Sequence, residues 1–304
     1  MKTFDPSKYL IFKGLVGSRL YGIETEESDF DYRSVCVPPL SVTLDLFNKF
    51  EVKDSGFEND EAIYTLAKFL QMCTNANPSI LEFLFVPASA RLVSSEWWDM
   101  VLNNKNLLLS KKVKHTFSGY SIAQLKKLKS HRTWFLNPPS NKPSRQQYGL
   151  RDDPTLSYTQ MTALDTINSE FVDPAIREEI IKEKNYREAK KTWDNYVSWK
   201  ENRNPKRRAL EESYGYDTKW AAHIFRLMSE GKELLLTGNI TFPLPNADEI
   251  REVRNGKYTY DELLSAVEVM EQDFETWYSL SSLPHHPDVH GINSLYQNIT
   301  LNYP

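Results

Sequence analysis

Hydrophobic positions in the first forty residues fall into two short runs. Leu10-Ile11-Phe12-Lys13-Gly14-Leu15-Val16-Gly17 has the pattern of a buried strand that stops at a glycine. Phe30-Asp31-Tyr32-Arg33-Ser34-Val35-Cys36-Val37 alternates, with β-branched and aromatic residues, and predicts a second strand that Pro38-Pro39 ends. Between the runs, Ser18 to Gly22 predict a tight turn or a single helical turn. Residues 48–60 read as strand and loop, Ala62 to Cys73 as a helix, and Asn77-Pro78-Ser79 as the start of another. Beyond about residue 108 apolar positions recur three and four apart, helix after helix. Residues 137–155, with four prolines and few large aliphatics, interrupt that pattern as a loop. The expected fold class is α+β. A small mixed-sheet domain over residues 1–108 is followed by a larger helical domain over 109–304.

Composition narrows the class without naming an activity. Hydrophobic residues make up 40% and charged residues 26%, the balance of a soluble globular chain rather than a disordered or membrane-spanning one. No apolar run approaches the roughly 20 residues that cross a bilayer, and Met-Lys-Thr-Phe-Asp-Pro-Ser-Lys has no apolar core of a signal peptide. Cys36 and Cys73 stand alone, which suits buried packing in a reducing cytoplasm.

The net charge of −4 gives no global pull toward nucleic acid, yet the cations are clustered. Lys111, Lys112, Lys114, Lys126, Lys127, Lys129 and Arg132 fall in one acid-free interval, and residues 182–208 hold ten Lys/Arg against four Asp/Glu. Each cluster alone reads as a solvated helix face. Two together suggest a basic face that tracks phosphates.

The candidate chemistry lies between the two predicted strands. Side chains two apart on a strand project from one face, so Asp29 and Asp31 converge while Phe30 turns into the core. Two convergent carboxylates repel as an isolated pair but form a hard-oxygen site for one or two Mg²⁺ ions. Gly17-Ser18, where a strand runs into a turn, lets backbone amides approach a phosphate and adds a hydroxyl donor. Either motif alone is an ordinary loop or strand edge. At this spacing they set a phosphate cradle beside a metal site, as transfer from a nucleoside triphosphate requires.

Gly17-Ser18-Arg19-Leu20-Tyr21-Gly22 followed by Ser28-Asp29-Phe30-Asp31-Tyr32-Arg33 resembles the DNA polymerase beta superfamily of nucleotidyltransferases. More closely it resembles the RNA-repair-pathway polymerase-beta-like family, found in bacteria and phages. Asp60-x₃-Tyr64-x₃-Lys68-Phe69, Asn77-Pro78-x₃-Glu82-x-Leu84 and Ser118-Gly119-Tyr120-x₃-Gln124 resemble further blocks of that family. So do Gly215-Tyr216-Asp217-x-Lys219-x₃-His223-x₂-Arg226-Leu227 and Arg254-Asn255-Gly256-Lys257. Leu20 departs from the pattern, standing where a small residue is common.

The resemblance implies a third catalytic and metal-binding carboxylate, with Asp60 at the matching position and Asp54 and Glu61 as neighbouring alternatives. It implies Mg²⁺ or Mn²⁺ as cofactor and a nucleoside triphosphate as substrate, held by Gly17, Ser18 and Arg19. Lys219, His223 and Arg226, spaced to share one helix face, are expected to face the triphosphate; spacing alone equally allows a solvent-facing stripe opposite Trp220, Ile224 and Leu227. Tyr120, Gln124 and Lys127 are the candidate acceptor contacts, and Glu82 is expected to support the fold.

The expected acceptor is the 3′ end of an RNA such as tRNA. A protein or small-molecule hydroxyl is a second reading, and a non-catalytic nucleotide- or RNA-binding module a third. His285, His286, Asp288 and His290 look like a metal cluster, but Pro284 and Pro287 make a turn into the last helix the preferred reading.

Overall fold

The computed structural model describes residues 4–47, 50–54, 61–152, 157, 159–160 and 173–304; of residue 54 it describes the backbone only. Two compact units emerge: residues 1–126 with 218–304, and residues 127–217.

The first unit is built on a five-stranded sheet. Its strands are β1 (Leu10–Val16), β2 (Asp31–Cys36), β3 (Val52–Asp54), β4 (Glu61–Thr65) and β5 (Arg91–Ser94), in the order β3-β4-β2-β1-β5. β1 runs antiparallel to β2 and β5, β2 pairs parallel with β4, and β3 is the antiparallel edge. A one-turn helix, α1 (Ser18–Tyr21), joins β1 toward β2, and α2 (Leu40–Thr43) follows β2. Helices α3 (Leu66–Thr74), α4 (Pro78–Leu81) and α5 (Glu96–Asn103) complete the N-terminal part.

The core of this sheet is aromatic. Phe12 of β1 stacks on Trp98 of α5 at 4.3 Å between centroids and on Phe83 at 5.7 Å, and Phe69 of α3 stacks on Phe83 at 5.7 Å. All four rings are fully buried, so burial and ring geometry fix the face of β1 that carries Phe12.

The helix expected from Ala62 begins only at Leu66. Ala62, Ile63 and Tyr64 pair in parallel with Arg33, Ser34 and Val35, and the Thr65 hydroxyl caps the helix by accepting from the Lys68 amide at 3.2 Å. A short apolar run at a strand-to-helix junction satisfies both periods. Sheet pairing decides it here.

Helices α9 (Thr218–Thr237), α10 (Ala247–Arg254), α11 (Tyr260–Leu280) and α12 (Val289–Asn302) belong to the first unit. They are tied to its N-terminal part by buried polar contacts and by main-chain bonds such as Lys111 N to Pro284 O at 2.8 Å. Cys36 and Cys73 are unpaired and buried, and burial pushes the Cys36 thiol up to about 12.

A long helix, α6 (Val113–Leu136), leads from the first unit into the second. The second unit also contains α7 (Pro174–Glu201) and α8 (Pro205–Tyr214). His131, Trp134, Tyr196 and Trp199 pack together within it, and Glu183 receives a two-pronged bond from Arg145 at 3.0 and 2.7 Å. The stretch expected as loop contains a short 3₁₀ turn, Arg145–Tyr148, closed by a Ser144–Gln147 capping box. No helix among the described residues is long and apolar enough to cross a membrane.

Candidate active site

The site begins where β1 runs out. Gly17 adopts φ 74° and ψ −160°, a backbone region essentially confined to glycine. The chain then turns once through α1 and leaves through Gly22 at φ 75°, ψ 24°. Because β1 and β2 are antiparallel with Val16 opposite Asp31, the residue after Val16 lies beside the first residue of β2. The Asp31 carboxylate lies against the Gly17 α-carbon, where a methyl would collide with its Oδ2. The Ser18 hydroxyl is half-buried and has no side-chain hydrogen bond among the described residues. The turn and the acidic strand entry, read separately from the sequence, thus meet at the Gly17–Asp31 contact.

Arg19 sets the loop between them. Its Nε and Nη2 donate to the Ser28 carbonyl at 3.1 and 2.7 Å, and its guanidinium lies 3.9 Å from the Phe30 ring centroid. A turn closed by Ser28 N to Thr25 O and Thr25 N to Ser28 Oγ, both 2.9 Å, completes the loop. Arg19, expected as a nucleotide contact, spends two donors on its own chain. Phe30 is a clear correction: it is 56% exposed and lies between Arg19 and Tyr32 rather than in the core. β2 begins only at Asp31, so the strand alternation that would have buried Phe30 has not started. Asp29 is exposed and Asp31 half-buried.

Of the three acids considered for the third position, Asp60 and the side chain of Asp54 lie outside the described residues. Glu61 is described, and it faces away. It pairs with Tyr32, not Asp31, so its side chain takes the opposite face of the sheet. There its carboxylate accepts from Lys13 Nζ at 2.9 Å and from Ser34 Oγ at 2.8 Å. Burial raises its pKa, but these bonds outweigh that and hold it below the usual glutamate range. Among the described residues no group of three or more His, Cys, Asp or Glu is placed to hold a metal.

The expected stripe on α9 is not a single cationic face. Lys219 is exposed and His223 half-buried, but Arg226 is only 3% exposed. Its Nη1 donates to Glu82 Oε1 at 2.5 Å and to Glu230 Oε1 at 2.8 Å, and its plane covers the Tyr21 ring at 4.4 Å. Nη2 lies 3.2 Å from His223 Nδ1, and the Tyr21 hydroxyl donates to Glu82 Oε2 at 2.7 Å. A buried guanidinium needs a counter-charge and acceptors beside it, and the carboxyl groups of Glu82 and Glu230 supply them. Arg226 is therefore a buried brace between α9 and the N-terminal part, and Glu82 supports the fold as expected. Glu230 was not anticipated. Its signal was its place four residues after Arg226, one helical turn along the same face. Burial, partly offset by Arg226, pushes its carboxyl up to about 8.

The basic intervals are also largely committed. Lys112 bonds Asn75 at 2.8 Å and Lys114 bonds Glu275 at 2.5 Å. Within the second unit, Arg187 pairs with Glu183, Arg203 with Glu211, Arg207 with Asp217 and Arg208 with Glu212. Burial lowers His131 to about 4, so it adds no positive charge near neutrality. Lys190, Lys191 and Lys200 remain exposed. On α6, Tyr120 is 47% exposed, Gln124 half-buried and Lys127 exposed. Asp288, from the histidine-rich segment, caps α12 by accepting from the Gly291 amide at 2.9 Å.

A mixed sheet whose first hairpin carries a Gly-Ser turn against an Asp-x-Asp strand entry, followed by helices, defines a polymerase-beta-like domain in an α+β fold. Residues 5–145 match the model of the family described as RlaP, the RNA repair pathway DNA polymerase beta family. One curated relative is the "Uncharacterized 38.9 kDa protein in nrdC-mobD intergenic region" of Enterobacteria phage T4, 26% identical over 128 residues. The similarity covers 38% of this chain and 38% of the phage protein. No solved structure matches the chain.

Proposed function

We propose that the chain transfers a nucleotidyl group from a nucleoside triphosphate to an acceptor hydroxyl, with an RNA 3′ end, such as that of tRNA, as the acceptor. The observation that carries this reading is the contact of the Asp31 carboxylate with Gly17, which sets an acid against the glycine that opens the turn bearing Ser18. Ser18 and those amides hold the triphosphate. Asp29 and Asp31 hold Mg²⁺ or Mn²⁺. Two carboxylates and an open, exposed approach suit an ion that keeps several waters and takes its remaining ligands from substrate phosphates.

Once bound, such ions neutralise the triphosphate and lower the pKa of the acceptor hydroxyl. The acceptor hydroxyl gives up its proton to solvent, its oxygen bonds to the α-phosphorus, the bond to the bridging oxygen breaks, and pyrophosphate leaves with its electron pair. Asp60 is kept as the third acid, supported by the commitment of Glu61 to Lys13 and Ser34 on the other face. Lys219 is kept as a phosphate contact on its exposure. His223, half-buried with its Nδ1 3.2 Å from Arg226 Nη2, is kept as a lesser nucleotide contact than Lys219. Tyr120, Gln124 and Lys127 remain the proposed acceptor contacts.

The test offers each of the four α-labelled triphosphates with Mg²⁺ to the full chain, together with total RNA or total protein. Label in RNA that nuclease removes, with pyrophosphate released, is the expected result. Label that resists nuclease and is lost to protease would replace RNA by a protein acceptor. Tight triphosphate binding without turnover on any acceptor would replace the enzyme by a binding module.

A further inference from the structure

The turn that closes the Gly-Ser loop presents three consecutive backbone carbonyls, and a distant segment of the first unit engages all three. Tyr21 O accepts from the Leu244 amide at 3.1 Å. Gly22 O accepts from Arg251 Nη1 at 2.6 Å, and Ile23 O from Arg254 Nη1 at 3.2 Å. Pro243 fills the remaining approach, since a methyl on Gly22 would come within 2.8 Å of its Cβ. The Tyr21 ring also leans on Phe242 at 5.9 Å between centroids.

A single helical turn cannot hold its own shape, because nucleation fixes several dihedrals for one hydrogen bond. The direction of α1 must therefore come from its surroundings. Carbonyls at a helix C-terminus carry partial negative charge and ordinarily turn to water. Here two guanidinium groups and one amide, all from residues 244–254, take that place.

We infer that the segment from Leu244 through α10 is the positioning element of the nucleotide loop, with Arg251 and Arg254 as positioning residues that act through the Gly22 and Ile23 carbonyls. The inference rests on the reading of Gly17–Ser18 as a triphosphate site for its consequence on nucleotide affinity. It does not rest on that reading for its consequence on the loop. It also gives Arg254, singled out in the sequence but without a place in the chemistry, a task that needs no ligand contact.

The test uses the full chain and two readouts. Hydrogen exchange of the amides at 18–24 is measured without nucleotide in wild type and in the Arg251→Ala/Arg254→Ala double variant, alongside the thermal melting profile. Exchange of that segment is expected to accelerate while the melting of the rest of the unit is kept. The KM for the triphosphate is expected to rise about tenfold or more, with a smaller change in kcat, as misplacement of a substrate-holding group predicts. Arg254→Lys, which restores one donor, should recover part of both effects.

Unchanged exchange at 18–24 in the double variant would overturn the inference. So would a loss of nucleotide affinity without any change in exchange, since that marks direct contact with the ligand. If the double variant does not fold, Arg251→Ala carries the same exchange test, because Arg251 is exposed and its removal leaves the core untouched. Accelerated exchange in a protein whose wild type transfers nothing would sustain the positioning role and defeat the proposed function.

Discussion

Gly17 carries the tightest constraint at the level of single residues. Its backbone lies in a region essentially closed to other residues, and its α-carbon is covered by the Asp31 carboxylate. Gly17→Ala is expected to cost about 1–3 kcal/mol from backbone strain, and to weaken triphosphate binding by pushing Asp31 aside. Denaturant unfolding measures the first effect and calorimetric titration the second. The glycine turn and the acid against it were legible because each follows from local chemistry: a positive φ, and an acid at a strand entry. The conformation of Phe30 was not, because it depends on where β2 starts and on a guanidinium from the preceding turn.

Glu230 offers a pH signature. Its folded pKa of about 8 lies above its ordinary value of 4.5, so the folded state binds the proton more tightly than the unfolded state. Its contribution to stability is complete below the ordinary value and is lost as pH rises toward and through about 8. The melting temperature of wild type should fall across that window. Glu230→Gln should flatten the fall, and an unchanged slope in that variant would contradict the assignment.

Among the elements, β1 and β2 followed their hydrophobic pattern because each is central in the sheet and paired on both sides. Residues 62–65 did not, since a parallel partner pulled a run of mixed period into a strand. The stripe on α9 misled for a related reason. Spacing puts Lys219, His223 and Arg226 on one face, but only tertiary packing decides whether that face meets water or two buried carboxylates. The basic intervals misled likewise, because a count of cations carries no information about acids brought in from other elements.

Glu183 illustrates the point within the second unit. It is buried and bonded by Arg145 and by Arg187 at 2.8 Å. Burial raises its pKa, yet those bonds outweigh that and hold the carboxyl below its ordinary range. Glu183→Gln keeps the shape and removes the charge that both arginines share. A loss of about 2 kcal/mol, typical of hydrogen bonds to a charged group, is expected for this unit in denaturant unfolding.

Across the whole molecule, the donor half of the proposed reaction is concentrated in residues 17–31, inside the segment that matches the family. The helices that follow divide between two units, an arrangement the sequence pattern did not reveal. Periodicity identifies helices but not the partner each one packs against. The buried Arg226–Glu82–Glu230 network and the carbonyls of Tyr21 to Ile23 show why the late helices belong with the sheet.

The central claim, that Asp29 and Asp31 serve nucleotidyl transfer beside the Gly17–Ser18 turn, is tested most directly by one comparison. Transfer of label from α-labelled triphosphates to the acceptor, in the presence of Mg²⁺, is measured for wild type, Asp29→Ala and Asp31→Ala, with folding checked by circular dichroism. The account predicts labelled acceptor and released pyrophosphate for wild type, and loss of both in each variant with the fold intact. Transfer retained by both variants would contradict it.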